Sequence, residues 1–178
     1  MNKIEGSQEQ EFNGKNMWIS EKYCKNLGLR EAIREFIQNQ HDGIISLIDS
    51  KKNLKVIKVG NEYLINERKK YLEYDFLNKQ NNKTFGKIRY DKNKKMLSIS
   101  NEGELFLADF LLEGSKSEEN NPDLIGTFGE GMKLAILALC RLEKNVTIIS
   151  SRKIYSFDIK EDPNFIKNDQ PQRCLIMI

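Results

Sequence analysis

Between Leu29 and Ile48 the apolar residues Leu29, Ile33, Phe36, Ile37, Ile44, Leu47 and Ile48 return at intervals of three and four, the period of a helix that buries one side. Beyond it the pattern shortens to strands. Leu54–Val59 and residues 62–65 flank Gly60 and Asn61, a pair suited to a tight hairpin turn, and residues 85–90 and 96–100 predict a second hairpin around 91–95. The stretch between them, 66–82, is polar and predicts no definite element. Residues 105–112 are apolar and predict a short helix ending at Gly114, and 115–123, without an apolar residue, predict a loop able to move. A further apolar helix is expected over 132–142, then strands over 146–150, 154–159 and 174–178. This order predicts an α+β sandwich with helices on one face of a mixed, mostly antiparallel sheet.

The first fifteen or so residues are polar with little periodicity, so residues 1–16 are expected to form a flexible N-terminal arm and 17–178 the domain. The chain is long enough to bury a core that shapes a pocket. Its 39% apolar and 31% charged residues are ordinary for a globular protein, and no apolar run approaches the roughly eighteen residues of a membrane span. The start lacks a secretory or transit signature, so an intracellular, by default cytoplasmic, protein is expected. Cys24, Cys140 and Cys174 are scattered without a CxxC pair and predict free thiols, Cys140 in the core. The net charge of +3 is spread through Lys/Asn-rich loops, which argues for a solvated surface rather than nucleic-acid binding.

Three features carry chemistry. Glu35, Asn39 and Asp42 interrupt the first helix at spacings of four and three, falling on one narrow face away from the apolar stripe. In isolation a solvated polar face is the ordinary account of such a trio. Next, Gly126, Gly129 and Gly131 stand immediately before an apolar helix, where backbone can approach an anion closely and exposed amides bind phosphate. The spacing is neither that of a P-loop nor of a dinucleotide-binding turn. Third, the strand over 96–100 runs directly into Asn101, Glu102 and Gly103. An amide at that edge can pair with a purine's amino group and ring nitrogen, and Gly103 lets a base lie close. His41 is read as a surface or packing residue in preference to a phospho-acceptor or metal ligand, Asp42 as orienting Asn39, capping a water or solvated, and Trp18 and Tyr23 as packing residues.

Together and in this order the three features resemble the GHKL ATPases, which include the heat-shock-ninety chaperones, gyrase B, MutL, the microrchidia proteins and sacsin. Glu35, Asn39 and Asp42 look like the family's E-x-x-x-N-x-x-D box, residues 98–103 like its adenine-reading turn, and residues 125–133 like its G-x-x-G-x-G lid motif, closest to the forms with a trailing Lys. The resemblance spans roughly residues 29–150 and implies the Bergerat fold, a two-layer sandwich that binds ATP or ADP with Mg²⁺. It implies that Asn39 holds the Mg²⁺ and that Glu35 is the general base for hydrolysis, since the family's histidine-kinase branch generally lacks that glutamate. Gly126, Thr127, Phe128, Gly129, Gly131, Met132 and Lys133 are then expected to cradle the phosphates, joined by Ser115 and Lys116 when a lid closes, while Asn101 and Gly103 serve the base and Asp42 stands with Asn39 among the cofactor-binding residues. Asn101 stands where the family usually has Asp, Leu105 where it has a second glycine, and Cys174 near its adenine-side Thr. These departures bear on base recognition more than on phosphate chemistry. The resemblance also implies a slow, switch-like ATPase with nucleotide-dependent homodimerisation and larger attached domains. The reading from another class is a non-catalytic, nucleotide-gated interaction module or scaffold.

Overall fold

The structure, a computed structural model, describes residues 15–48, 53–59, 71–103, 130–150, 152–168 and 170–178. Helix α1 (Leu29–Ile48) begins where Glu31 folds back to accept a hydrogen bond from the Gly28 amide at 3.2 Å, one half of a capping box. Ala32, Gln40, Ile44, Ile45 and Ile48 are its buried residues, whereas Leu29 and Leu47 of the predicted stripe are exposed. Helix α2 (Gly131–Arg141) ends with Glu143 at φ 56° and with Glu143 N donating to Cys140 O and Lys144 N to Leu139 O. Those two bonds satisfy the last carbonyls in the manner of a Schellman stop.

Eight strands flank the helices: β1 (Lys15–Ser20), β2 (Leu54–Val59), β3 (Tyr71–Asn78), β4 (Thr84–Asp91), β5 (Met96–Asn101), β6 (Thr147–Ser150), β7 (Lys153–Lys167) and β8 (Gln170–Met177). They form two four-stranded sheets, in the orders β1-β8-β7-β6 and β2-β3-β4-β5. The class is α+β. Among the described residues every pairing is antiparallel, so the single mixed sheet expected from the sequence is replaced by two antiparallel ones. Short connections such as 92–95 permit only that sense of pairing, because parallel neighbours need a long crossover.

Two local expectations change as well. The partner of β2 is β3, with Val56 opposite Phe76, and β3 lies inside the stretch 66–82 that predicted no element. Residues 60–65, which carry the other proposed hairpin turn and its second strand, lie outside the described residues, as do 105–112. Strand β1 starts at Lys15, two residues before the expected start of the domain, and Asn16 of β1 donates to Asp162 of β7. Trp18 is exposed, touching Phe165 edge-on with ring centroids 6.3 Å apart, and Tyr23 is exposed, so neither is the packing residue expected.

Among the described residues each sheet carries one helix. Ile136 and Leu137 of α2 pack with Phe157, Ile159, Leu175 and Met177 of β7 and β8 and with Met17 of β1, and each such buried aliphatic side chain contributes about 1.5–3 kcal/mol. Ile44, Ile45 and Ile48 of α1 pack on Phe76, Leu54, Phe85 and Ile88 of the other sheet. The helices meet through Ala32, Ala135 and Ala138, small residues that bring the two backbones close. None of the described helices is long and apolar enough to cross a membrane.

Candidate functional site

With its apolar stripe spent on the second sheet and its alanine on α2, α1 turns a third side, bearing Glu35, Asn39 and Asp42, toward neither core. Asn39 is exposed, and its Nδ2 donates to the Glu35 carbonyl one turn back at 2.7 Å. A carbonyl can only accept, so the amide nitrogen is fixed there and Oδ1 is turned elsewhere. The Glu35 side chain keeps 24% of its exposure and has the Arg34 guanidinium 3.8 Å away. Asp42 stands beside His41, with Nδ1 and Oδ1 3.0 Å apart. His41 is thereby a neighbour of the polar face, its ring only 13% exposed.

Two glycines set how closely other elements reach this helix. A Cβ at Gly131, the first residue of α2, would collide with Glu35 Oε2, and a Cβ at Gly43 would collide with Asn101 Nδ2 at the end of β5. The absence of a side chain at each position lets Glu35 lie against the α2 N-terminus and Asn101 lie against the α1 backbone. Gly103 is next to the same Asn101 amide, at 3.5 Å from the position a Cβ would take, and near the Gly43 carbonyl. The structure thus places Glu35 and Gly131 at one end of a stretch of α1, Asn101, Gly43 and Gly103 at the other, and Asn39 between. Eight residues separate the two glycine contacts along the helix, about 12 Å of rise.

The start of α2 is electrostatically suited to a negative group. Glu130 at its cap makes no side-chain capping bond, and the positive end of the helix dipole favours an anion. Met132 is half-buried and packs on the α2 core. Lys133 is 1% exposed, its side chain enclosed within the protein. Ser115, Lys116, Gly126, Thr127, Phe128 and Gly129 lie outside the described residues. Cys174 is fully buried in β8 beside Asn16 and Asp162, in the sheet that does not carry Asn101. It is not among the residues that α1 brings together.

Gly43 and Gln40 were not singled out in the sequence. Glycine in a helix interior costs about 1 kcal/mol relative to alanine, so Gly43 in the middle of a well-formed helix was a signal of close approach. The donor set suits a hard divalent cation: Asn39 Oδ1 and the Glu35 carboxylate are oxygens, and Mg²⁺ characteristically takes few protein ligands and completes its shell with water and phosphate. Among the described residues no group of three or more His, Cys, Asp or Glu gathers as a complete metal cage. A separate polar cleft of about 540 Å³ at the other end of α2 is lined by Glu21, Arg141, Asp158 and Arg173 among others. Its arginines are already engaged, Arg141 with the carbonyls of Glu21, Tyr23 and Cys24 and Arg173 with Glu21.

No protein-family model, characterised protein or solved structure matches this chain.

Proposed function

We propose that the chain is a GHKL-type domain of Bergerat fold that binds ATP with Mg²⁺ and hydrolyses it slowly, using the binding energy as a conformational switch. The observation that carries the reading is the pair of glycine contacts on α1. They put a carboxylate against the N-terminus of α2 and an amide against bare backbone farther along α1, with Asn39 between, which supports a ligand with phosphates at one end and a base at the other. The meeting of both helices through alanines supports a common layer for them.

In this reading the base lies at Asn101, whose amide offers one acceptor and two donors to a purine edge. Gly43 lets that amide lie against the helix backbone, and Gly103 adds no side chain beside it. The amides of Gly131, Met132 and Lys133 receive the terminal phosphate, where preorganised donors lower the barrier without reorganising. Asn39 Oδ1 would hold Mg²⁺, which when bound neutralises phosphate charge. Glu35, held beside the same helix end, orients the attacking water and accepts its proton. The general base also separates this reading from a binding-only module, which has no use for a carboxylate at that position.

Phosphate release by the purified protein with ATP and Mg²⁺, compared with Glu35→Ala, tests the proposal. The expected result is slow release by the wild type, and a variant that binds ATP as tightly but releases phosphate about 10²–10⁴-fold more slowly, the contribution typical of a general base. Equal rates in the two proteins would remove Glu35 from the chemistry.

A further inference from the structure

Gln40 is a buried amide with half of its hydrogen bonding unanswered. It is 4% exposed, and its Nε2 donates to Lys87 O at 2.9 Å and to Ser100 O at 2.7 Å. Both partners are backbone carbonyls, so the side chain cannot be flipped end for end: nitrogen must face the sheet and Oε1 must face away. Oε1 is buried and has no hydrogen-bond partner. A buried acceptor left unpaired is costly and calls for a donor that completes it.

The position of that oxygen is set by the ladder. Gly86 of β4 is directly opposite Asn101 of β5, and a Cβ at Gly86 would stand 2.6 Å from Ile44 Cδ1, 2.7 Å from Ser100 O and 3.1 Å from Gln40 Nε2. The Gln40 amide therefore lies over Gly86, one residue from Asn101, and α1 can settle this low on the sheet only because residue 86 has no side chain. The helix amide is thereby anchored to Ser100, the residue before Asn101 at the strand end.

We propose that Gln40 is a specificity-determining residue for the base: its Oε1 accepts one hydrogen of the exocyclic 6-amino group, directly or through a single water, while Asn101 accepts the other. The inference rests on the nucleotide reading above and adds to it a second reader. Two neutral acceptors aimed at one amine select for 6-amino purines. A 6-oxo purine would set its own oxygen against Gln40 Oε1, which cannot be turned away, and leave both unsatisfied, whereas the Asn101 amide can turn to donate. Gln40 also seats the β4–β5 pair, so its two functions have to be told apart by ligand choice.

The test is calorimetric titration of wild type and Gln40→Leu with ATP, inosine triphosphate and purine riboside triphosphate, which lacks the 6-amino group, with the melting temperature recorded for each protein. The wild type is expected to prefer ATP over both analogues by about 10- to 100-fold, the effect of an unpaired buried group. Gln40→Leu is expected to lower that preference by about tenfold, mostly through ATP, with affinity for purine riboside triphosphate little changed. An unchanged preference in the variant, with all three ligands weakened alike, would make Gln40 a seat for the sheet only and overturn the proposal. Should the leucine variant fold poorly, a crystal structure of the wild type with ATP decides it: Oε1 bonded to the amine, or sharing one water with it, supports the proposal, and Oε1 remote from the base overturns it. Failure of every nucleotide to bind the wild type would instead overturn the underlying nucleotide reading.

Discussion

The two halves of the molecule use the same architecture, a four-stranded antiparallel sheet under one helix, and close it in different ways. In the α2 half the contact with the sheet is mainly hydrocarbon, with Ile136, Leu137 and Leu175 fully buried, and the buried polar groups Lys133 and Asp162 stand beside it. In the α1 half Ile44, Ile45 and Ile48 fill one stretch of the interface, but next to them Gln40 takes a core position over Gly86, and Gly43 admits Asn101. An apolar contact is tolerant and stabilising; an amide set among glycines is demanding and contributes little net stability. The difference separates a half that holds the fold from a half whose polar groups are held in place for something else.

The sharpest way to break that contrast is at Glu35. Glu35→Ala should cut phosphate release about 10²–10⁴-fold while leaving the melting temperature near that of the wild type; a large loss of stability instead would mark Glu35 as part of the frame. In the other half the expectation reverses. Leu175→Ala should cost about 2–5 kcal/mol of stability, lowering the melting temperature by about 2–4 °C per kcal/mol for a chain of this size, with nucleotide affinity of the folded protein retained. Denaturant titration beside nucleotide titration checks both parts, and a variant of normal stability would show the core is less tightly packed than it looks.

Gly43→Ala gives a finer cut. Alanine gains about 1 kcal/mol of helix propensity over glycine, and the atom its Cβ meets is the far end of the Asn101 side chain, which can rotate aside. The melting temperature should therefore hold or rise while nucleotide affinity falls about tenfold. Parallel loss of both would mean that the close approach serves packing.

How much of this could be read from the sequence differs from element to element. Helix α1 was legible from its three- and four-residue period, and the β4–β5 hairpin from Asp91, whose carboxylate accepts from the amides of Asn93 and Lys94. Those bonds, Lys94 foremost, hold the Asp91 carboxyl below its ordinary range. Strand β3 was missed because charge obscured its alternation: Leu72, Tyr74 and Phe76 alternate with Glu73 and Asp75, and the two acids are answered from β4 by Lys87 and Arg89. Lys87 is held above its usual range by the same pair, Asp75 first. At the site, Glu35 and Asn39 stood out by their spacing on one face of the first helix, and Asn101 by the turn it shares with Gly103. Gln40 did not, since a glutamine beside an asparagine on a helix looks like surface until the carbonyls of Lys87 and Ser100 are placed beneath it. Cys174, expected near the base from its place in the last strand, lies in the sheet that does not carry Asn101.

The smallest expected effect concerns the cysteines of the α2 half. Burial, with Asp158 adding to it, lifts the Cys140 thiol from 9.0 to about 11, and burial with Asp162 does the same for Cys174. The folded chain keeps protons that the unfolded chain releases above pH 9, so this contribution is intact below that pH and is lost as pH rises toward 11. Melting curves across that alkaline range should fall less steeply for the Cys140→Ala, Cys174→Ala double variant than for the wild type, and identical slopes would contradict the assignment.

The central claim, that the α1 half is arranged around a nucleotide, is tested most directly by titrating ATP into the wild-type protein by calorimetry with and without Mg²⁺, beside Asn39→Ala. The account predicts saturable binding that Mg²⁺ strengthens in the wild type and not in the variant. Absence of binding up to millimolar ATP, or binding that neither Mg²⁺ nor Asn39 affects, would contradict it.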